Sequence, residues 1–369
     1  MSVEKKDEVM NFEIDYEIHY VKPNRSDILS PYFIKFINKK YIRNCDLTSK
    51  IQVFYNGYNL QPWTLNSDKK FNPNTKIIFD RSSEDNVPYT KEVLQALDYY
   101  KSFKIPNQNI IIVNNIAQKN LPLPFDHPQF FLDFHACDVV NRVENGSHSP
   151  NSIPFSQRPN KISLALTKIL KDRRKDLLEQ LIYSISLKDL ELSIIFNDVD
   201  FAEVQKVCSN DLLLKTMKKY KGPYDNSSHL FLLESGGLGT YAWPCNSEWY
   251  TKSLVSLVPE TRTQESCCPF ITEKTFRPII NLHPVVCLMH ENYKLHLENL
   301  GFNLYRKIIG NYNSSISETI DAAKQFLTFS DKQRKEVDKI AYNNSVFLQS
   351  YANSHFTDFM KSLNTFLTK

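Results

Sequence analysis

KIIFD at residues 76–80 and NIIIVN at residues 109–114 are the two stretches that decide the fold of the first half of this chain. Each is a short apolar run between polar residues, which is typical of a strand buried on both faces of a sheet. Between them, residues 89–103 repeat apolar side chains at helical spacing. A strand, a helix and a second strand at this spacing form a βαβ unit, so the sequence predicts a parallel sheet.

Two further strands precede this unit. FEIDYEIHY at residues 12–20 alternates apolar and polar side chains, as a half-buried strand does. IQVFY at residues 51–55 is a second short run, and it ends at the turn residues Asn56 and Gly57. The first half of the chain is therefore expected to be an α/β domain.

The second half repeats the α/β pattern. Strands are predicted at residues 161–166, 191–196, 254–258 and 284–288, with a helix at 172–183 and helical sequence from residue 317 onward. Residues 119–160 are rich in proline and predict a loop-rich boundary. We therefore expect an N-terminal Rossmann-like domain at 1–158 and a second at 159–345. A helix at 346–369 either crosses back to the first domain or is a terminal helix on its own domain.

Composition excludes several classes of protein. Apolar residues make up 41% of the 369 residues and aromatic residues 12%, which is enough for a large core and excludes global disorder. The seven cysteines contain no CxxC pair, so neither a disulfide framework nor a zinc site is expected. The charged N-terminus and the absence of a long apolar run predict a cytoplasmic protein without a membrane span. The net charge of +4 suits an enzyme of phosphorylated substrates but is too small to indicate nucleic-acid binding.

The densest set of polar residues follows the strand at 254–258. LVSLVPET at residues 254–261 ends in the carboxylate of Glu260, and FITEKTFRPI at residues 270–279 opens a helix with Thr272 as its N-cap. A helix N-terminus presents free N–H groups and the positive end of a dipole, which suits a diphosphate. Lys274 adds a positive charge, and the carboxylates of Glu260 and Glu273 can accept hydrogen bonds from ribose. The sequence predicts a cradle for a nucleotide diphosphate.

These residues carry a resemblance to known enzymes. ITEKTFRPI at 271–279, His283-Pro284, and Leu300-Gly301-Phe302 together resemble the donor-binding segment of α1,3-fucosyltransferases. They resemble still more the related glycosyltransferases of large DNA viruses and bacteriophages. A weaker match covers residues 161–178, and the N-terminal half matches only in its α/β pattern. Arg277-Pro278 without a nearby glycine departs from the pattern, which leaves the choice of donor open.

The resemblance implies a fold and an activity. It implies a GT-B glycosyltransferase, in which two Rossmann-like domains face a central cleft. The donor would be a UDP- or GDP-sugar, bound as a substrate, with no permanently bound cofactor. By the same resemblance, Glu260 and Glu273 would contact the donor ribose and Lys274 its diphosphate. We expect no metal ion, because Lys274 and the helix dipole would neutralise the leaving diphosphate.

Three other residues are weaker candidates for donor binding. Lys168 and Arg173 follow the strand at 161–166 and are either phosphate ligands or part of a solvated basic helix face. Gly237 lies in the cluster Gly236-Gly237-Leu238-Gly239, which lacks the GxGxxG spacing. That cluster is interpreted as a flexible loop, with backbone approach to the nucleotide as the alternative.

An inverting transfer needs a general base for the acceptor hydroxyl. We expect it from the N-terminal domain, across the cleft. Glu84 lies beyond the strand at 76–80, where the carboxyl end of a parallel strand places catalytic residues. Asp85 and His135 are the alternatives.

Two acceptors and two competing functions stay open at this stage. The viral and phage enzymes suggest either a glycan or a hydroxymethylated base in DNA, and the latter would need a basic groove around residues 35–43. A non-catalytic nucleotide-sugar-binding protein is the main alternative. A phosphatase or kinase is disfavoured, because the sequence has neither a P-loop nor a nucleophile elbow. The sequence leaves the oligomeric state open.

Overall fold

The structure is a computed structural model, and its contacts divide the chain into two units. Unit 1 comprises Met1–Phe134 and His355–Lys369, and unit 2 comprises His135–Ser354. The described residues are 16–20, 51–56, 76–80, 97–98, 101–102, 104–115, 127–144, 146, 149–150, 153–167, 173–196, 214–215, 221–223, 229–233, 247–260 and 271–368.

Unit 1 contains a five-stranded parallel sheet whose strands follow chain order. The strands are β1 (Tyr16–Tyr20), β2 (Ile51–Asn56), β3 (Lys76–Asp80), β4 (Ile110–Asn115) and β5 (Gln129–Leu132). Every neighbouring pair is parallel. Each residue of β4 is buried, as expected for an apolar strand covered on both faces.

Unit 2 contains a six-stranded sheet in the order β11-β10-β6-β7-β9-β8. The strands are β6 (Ile162–Thr167), β7 (Leu190–Phe196), β8 (Lys221–Pro223), β9 (His229–Leu233), β10 (Val255–Pro259) and β11 (Val285–Leu288). The four strands β11, β10, β6 and β7 are parallel, whereas β9 is antiparallel to both of its neighbours. The chain leaves β6 toward β7 on one side and later returns to β10 on the other side. The strand order therefore reverses between β6 and β10, and such a switch point is where open α/β sheets bind ligands.

Seven α-helices are described. They are α1 (Phe134–Glu144), α2 (Arg174–Ser184), α3 (Glu273–Ile280), α4 (Glu291–Leu300), α5 (Arg306–Ile309), α6 (Ile316–Leu327) and α7 (Asp331–Thr368). Short 3₁₀ helices occur at Asn107–Asn109, Phe155–Gln157, Leu187–Asp189 and Ser247–Thr251.

The two faces of the unit 2 sheet differ in chemistry. Leu164, Leu257 and Val286 point to one face and join an apolar core with α2 and α6. The alternate positions include the buried hydroxyls of Ser163 and Ser256, beside apolar side chains such as Val258 and Val285. Helix α3 packs on β10 and β11 on this second face, where Thr275 and Cys287 approach each other. The second face is therefore the more polar one, and α3 borders it.

The end of α7 belongs to unit 1, although the helix begins in unit 2. The Phe130 ring of β5 meets Phe359 and Phe366 edge-on, at centroid distances of 6.4 and 6.0 Å. Lys76 donates to the Phe366 carbonyl at 2.6 Å and lies over its ring. These contacts cover part of the unit 1 sheet with the last turns of the chain.

The fold agrees with the predicted α/β class, with parallel sheets and flanking helices. The prediction for residues 119–160 was wrong in part, because β5 and α1 lie within that stretch. The predicted domain boundary at 158–159 falls inside unit 2, since residues from His135 onward contact that unit. No helix in the described part of the chain is long and apolar enough to cross a membrane.

Candidate functional site

Helix α3 begins directly beside the carboxyl end of β10. Thr272 has extended backbone angles, and its hydroxyl accepts from the Lys274 backbone N–H at 3.3 Å. This is the N-cap that the sequence predicts. The start of α3 thus lies next to Glu260, the residue that follows β10.

Glu260 holds the two elements together. It is fully buried, and its carboxylate accepts hydrogen bonds from the Thr272 N–H at 3.1 Å and the Thr272 hydroxyl at 2.7 Å. The Thr275 hydroxyl donates to the same carboxylate. Both oxygens are therefore engaged by the first turn of α3. In this arrangement Glu260 fixes the position of the helix, and the ribose contact expected from the sequence stays a prediction.

Glu273 is buried and lies between the side chains of His135 and Lys274. One carboxylate oxygen is 3.1 Å from His135 Nδ1 and the other is 3.6 Å from Lys274 Nζ. Burial by itself would raise the pKa of the Glu273 carboxyl, but Lys274, His135 and Arg277 outweigh it and hold this pKa well below its usual range. Glu273 is therefore ionised, and its charge is directed at protein partners.

A small pocket lies on the polar face of the sheet, between α3 and the 3₁₀ helix at 247–251. Its volume is about 50 Å³. Lys274, Arg277 and Pro278 line it at helical spacing on one side of α3. The remaining lining residues come from β6, β10 and the 3₁₀ helix: Ser163, Ala165, Trp249, Tyr250, Ser256, Leu257, Val258 and Pro259. The pocket therefore spans the two strands that flank the switch point.

A buried polar network forms the floor of this pocket. His283, which precedes β11, has Nδ1 3.1 Å from the Ser256 hydroxyl and Nε2 2.9 Å from the Ser253 carbonyl. The Ser256 and Ser163 hydroxyls are 3.1 Å apart. Burial, and then the charge of Arg158, lower the pKa of His283 well below its usual range, so the ring is neutral. Tyr250 packs against the ring at a centroid distance of 5.3 Å.

Sequence reasoning missed this network. His283 entered the prediction only as part of a His-Pro dipeptide within the resemblance. The available signal was Ser256 in the strand VSLVP, since a polar residue among apolar ones in a central strand needs a buried partner.

Arg173 is the other donor-binding candidate that the structure describes. It directly precedes α2, and its guanidinium donates to the Ser314 carbonyl at 2.5 Å. It is absent from the described lining of the pocket. Its observed role is to anchor the segment between α5 and α6.

Four predicted site residues lie outside the described residues: Glu84, Asp85, Lys168 and Gly237. His135 is described, and it belongs to unit 2 rather than to the unit that contains the strands β1–β5. The residues that the structure brings together are therefore Glu260, Thr272, Glu273, Lys274 and His135.

Within the ranges that the structure describes, no cluster of three or more histidine, cysteine, aspartate or glutamate side chains is arranged to hold an ion. The positive charges near the pocket come from Lys274 and Arg277.

Comparison with known proteins gives no family for this chain. No model of a protein family matches the sequence, and no curated protein matches it.

Proposed function

We propose that this protein is a glycosyltransferase that takes a sugar from a nucleotide diphosphate donor, a UDP- or GDP-sugar, and transfers it to a hydroxyl acceptor. One observation carries the proposal: Lys274 and Arg277 line the same pocket, beside the N-terminus of α3 and at the switch point of a parallel sheet. The overall architecture in this proposal is GT-B, with two Rossmann-like domains and the active site in a cleft between them.

The electrostatics of the α3 N-terminus support a diphosphate ligand. The helix dipole is positive at this end and favours a negatively charged ligand. Lys274 is partly exposed, at 23% of its side chain, so its ammonium can reach solvent and a bound anion. The Arg277 guanidinium offers several donors in a fixed plane and suits phosphate oxygens. Together they would stabilise the charge that develops on the leaving diphosphate.

Glu260 and Thr272 serve this site by holding the helix in place. The carboxylate of Glu260 accepts from the Thr272 backbone and hydroxyl, which fixes the first turn of α3 on the end of β10. Catalytic groups must be held by supporting contacts, because small displacements lower the rate strongly. We therefore assign Glu260 a positioning role in the proposed enzyme.

The general base and the acceptor are part of the same proposal. Glu84 and Asp85 remain candidates for the base on their sequence position alone. His135 is the third candidate, and its Nδ1 lies 3.1 Å from the Glu273 carboxylate. A carboxylate at Nδ1 favours the tautomer in which Nε2 is the basic atom. The acceptor is a glycan hydroxyl or the hydroxymethyl group of a modified DNA base.

The test is ligand-induced stabilisation. UDP-, GDP- and dTDP-sugars are added to the protein and the melting temperature is measured, since a ligand that binds only the folded state raises it. We expect one donor class to raise the melting temperature and Lys274→Ala to abolish that rise while the protein stays folded. Lys307→Ala removes an exposed lysine on α5 and is the matched control. A rise that survives in Lys274→Ala contradicts the assignment of the diphosphate to α3.

A further inference from the structure

We propose that Ser256 is a hydrogen-bond acceptor for a ring hydroxyl of the bound ligand, and that His283 is the residue that positions it. The ring is either the ribose or the transferred sugar of the donor. This inference rests on the proposed function, because it needs the donor to occupy the pocket beside Lys274 and Arg277.

The first step concerns the proton on His283. Its Nε2 is 2.9 Å from the Ser253 carbonyl, and a carbonyl oxygen can only accept. Nδ1 also has a carbonyl nearby, that of Pro284 at 3.1 Å, but this oxygen already accepts from the Ser256 backbone N–H at 2.9 Å. The Ser253 carbonyl is the nearer of the two acceptors, which favours a proton on Nε2. Nδ1 of the neutral ring then carries a lone pair.

The second step concerns the proton on Ser256. Its hydroxyl is 3.1 Å from His283 Nδ1, so the Ser256 O–H donates to this nitrogen. The only proton of the hydroxyl is thereby committed to the protein. The oxygen has two lone pairs, and it is these that remain for other partners.

The third step concerns Ser163, the neighbour of Ser256 across the β6–β10 pair. The Ser163 hydroxyl is 3.1 Å from the Ser256 oxygen and 3.3 Å from the Val255 carbonyl. Whichever of the two it donates to, Ser256 keeps at least one lone pair. Ser256 lines the pocket, so the floor presents an acceptor.

An acceptor on the pocket floor selects a ligand group that donates. Phosphate oxygens at neutral pH are mainly acceptors, whereas ring hydroxyls both donate and accept. The nearby carboxylate of Glu260 is engaged by Thr272 and Thr275, and that of Glu273 by His135 and Lys274. Lys274 and Arg277 on α3 would bind the phosphates, and Ser256 would accept a hydrogen bond from a hydroxyl of the ring.

The experiment measures dissociation constants by calorimetry for wild type, Ser256→Ala and Ser253→Ala. Ser253→Ala is the matched control, because its hydroxyl also contacts His283, at 3.2 Å, but does not line the pocket. The ligands are the nucleoside diphosphate that binds, its 2′- and 3′-deoxy analogues, the corresponding nucleotide sugar, and pyrophosphate. Pyrophosphate carries the charge without any ring hydroxyl.

We expect Ser256→Ala to weaken binding of the nucleoside diphosphate or of its sugar about threefold to tenfold, the usual effect of one hydrogen bond. Pyrophosphate binding should not change, and Ser253→Ala should bind every ligand as wild type does. A loss already present for the nucleoside diphosphate, and absent for one deoxy analogue, assigns the hydroxyl to the ribose. A loss seen only for the nucleotide sugar assigns it to the transferred sugar.

Two results would overturn the inference while the proposed function stands. The first is that the nucleoside diphosphate and the nucleotide sugar bind Ser256→Ala with the same dissociation constants as wild type. The other is an equal loss for pyrophosphate, which would mean that Ser256 donates to phosphate. No binding of any nucleotide to wild type would overturn the proposed function and this inference with it.

A second measurement tests the positioning role of His283 without any ligand. Nitrogen-15 NMR of the imidazole distinguishes a protonated ring nitrogen from an unprotonated one. We expect a neutral ring at pH 7 with the proton on Nε2. A proton on Nδ1 would turn the Ser256 hydroxyl into a donor toward the pocket and would contradict the proposal.

Discussion

Glu260 illustrates how burial limits what a single side chain can do. From the sequence, a carboxylate after a buried strand and before a helix is a natural partner for ribose. In the folded chain the same carboxylate is fully buried and accepts from Thr272 and Thr275. The position of Glu260 in the fold follows from the strand pattern. Thr272 and Thr275, which donate to this carboxylate, are visible in the sequence. Whether their hydroxyls point toward Glu260 depends on how α3 packs against β10.

The contacts of His283 and Ser256 could not be predicted from the local sequence either. The dipeptide His283-Pro284 is visible in the sequence, yet nothing in it reveals Ser253 and Ser256 as partners about thirty positions earlier. Those contacts arise because β10 and β11 are neighbours in the sheet. Pairing between distant strands is therefore the information that a local pattern lacks.

At the residue scale, Glu273 predicts a pH dependence of stability. Its folded pKa is lowered relative to the ordinary value of 4.5, because the positive groups around it outweigh the effect of burial. A carboxyl group whose pKa is lower in the folded state stabilises the fold fully at pH values above its pKa in the unfolded state. This contribution is lost as the pH falls through the pKa of the folded state. Wild type should therefore exceed Glu273→Gln in unfolding free energy at pH 7, and the difference should shrink below about pH 4.5.

Urea unfolding of both proteins between pH 7 and pH 3 measures this difference. Glu336→Gln makes the same change of charge at an exposed position of α7 and controls for net charge. A difference between wild type and Glu273→Gln that is equal at pH 7 and pH 3 would refute the assignment.

At the element scale, the end of α4 explains one of the motifs in the sequence. Gly301 has a φ of 118°, and its N–H donates to the Glu298 carbonyl while that of Phe302 donates to the Leu297 carbonyl. This pair of hydrogen bonds is a Schellman motif, in which a glycine closes the helix. The Phe302 ring then packs edge-on against Phe347 of α7 at 4.9 Å. In Leu300-Gly301-Phe302, the glycine therefore ends α4 and the phenylalanine packs into the core.

This geometry predicts a large effect of Gly301→Ala. The added Cβ would lie 2.9 Å from the Phe347 ring, and φ is positive as well. We expect a loss of about 2–4 kcal/mol in unfolding free energy from the combined strain and overpacking. Gly146→Ala is the control, since Gly146 has a φ of 75° but no atom of the described residues lies within 4 Å of an added Cβ. It should cost only about 1 kcal/mol. Equal losses in the two variants would show that Phe347 moves aside.

Local patterns located most elements well, and they failed where proline dominated. The strand at Lys76–Asp80 matches the prediction at both ends, and the other predicted strands differ by a few residues. Residues 119–160 were interpreted as loop-rich from their prolines, yet α1 occupies Phe134–Glu144, a stretch without any proline. Averaging over a long window hid this helix.

At the scale of the whole molecule, the last residues of the chain complete unit 1. Phe359 and Phe366 pack on Phe130, and Lys76 donates to the Phe366 carbonyl. Removing a buried aromatic side chain such as Phe359 typically costs about 3–5 kcal/mol. The stability of unit 1 should therefore depend on residues that are far away in the sequence.

A truncation after Ser354 tests this dependence. We expect the shortened chain to lose protection from hydrogen exchange in β3, β4 and β5, while the strands β6, β10 and β11 of unit 2 keep theirs. Phe359→Ala is the milder variant and should lower the hydrogen-exchange protection of the same strands, β3, β4 and β5, by a smaller amount. Unchanged protection of β4 in the truncated chain would show that the end of α7 contributes little to unit 1.

The course of α7 also affects how the protein is made. Unit 1 is assembled from the first 134 residues and from the stretch that begins at His355. A ribosome releases the N-terminal strands early, but the aromatic residues that pack on Phe130 leave the exit tunnel only after unit 2. During translation the first sheet therefore stays partly uncovered until the end of α7 has been synthesised. Chaperones that bind exposed apolar surface would therefore stay bound longest to this sheet.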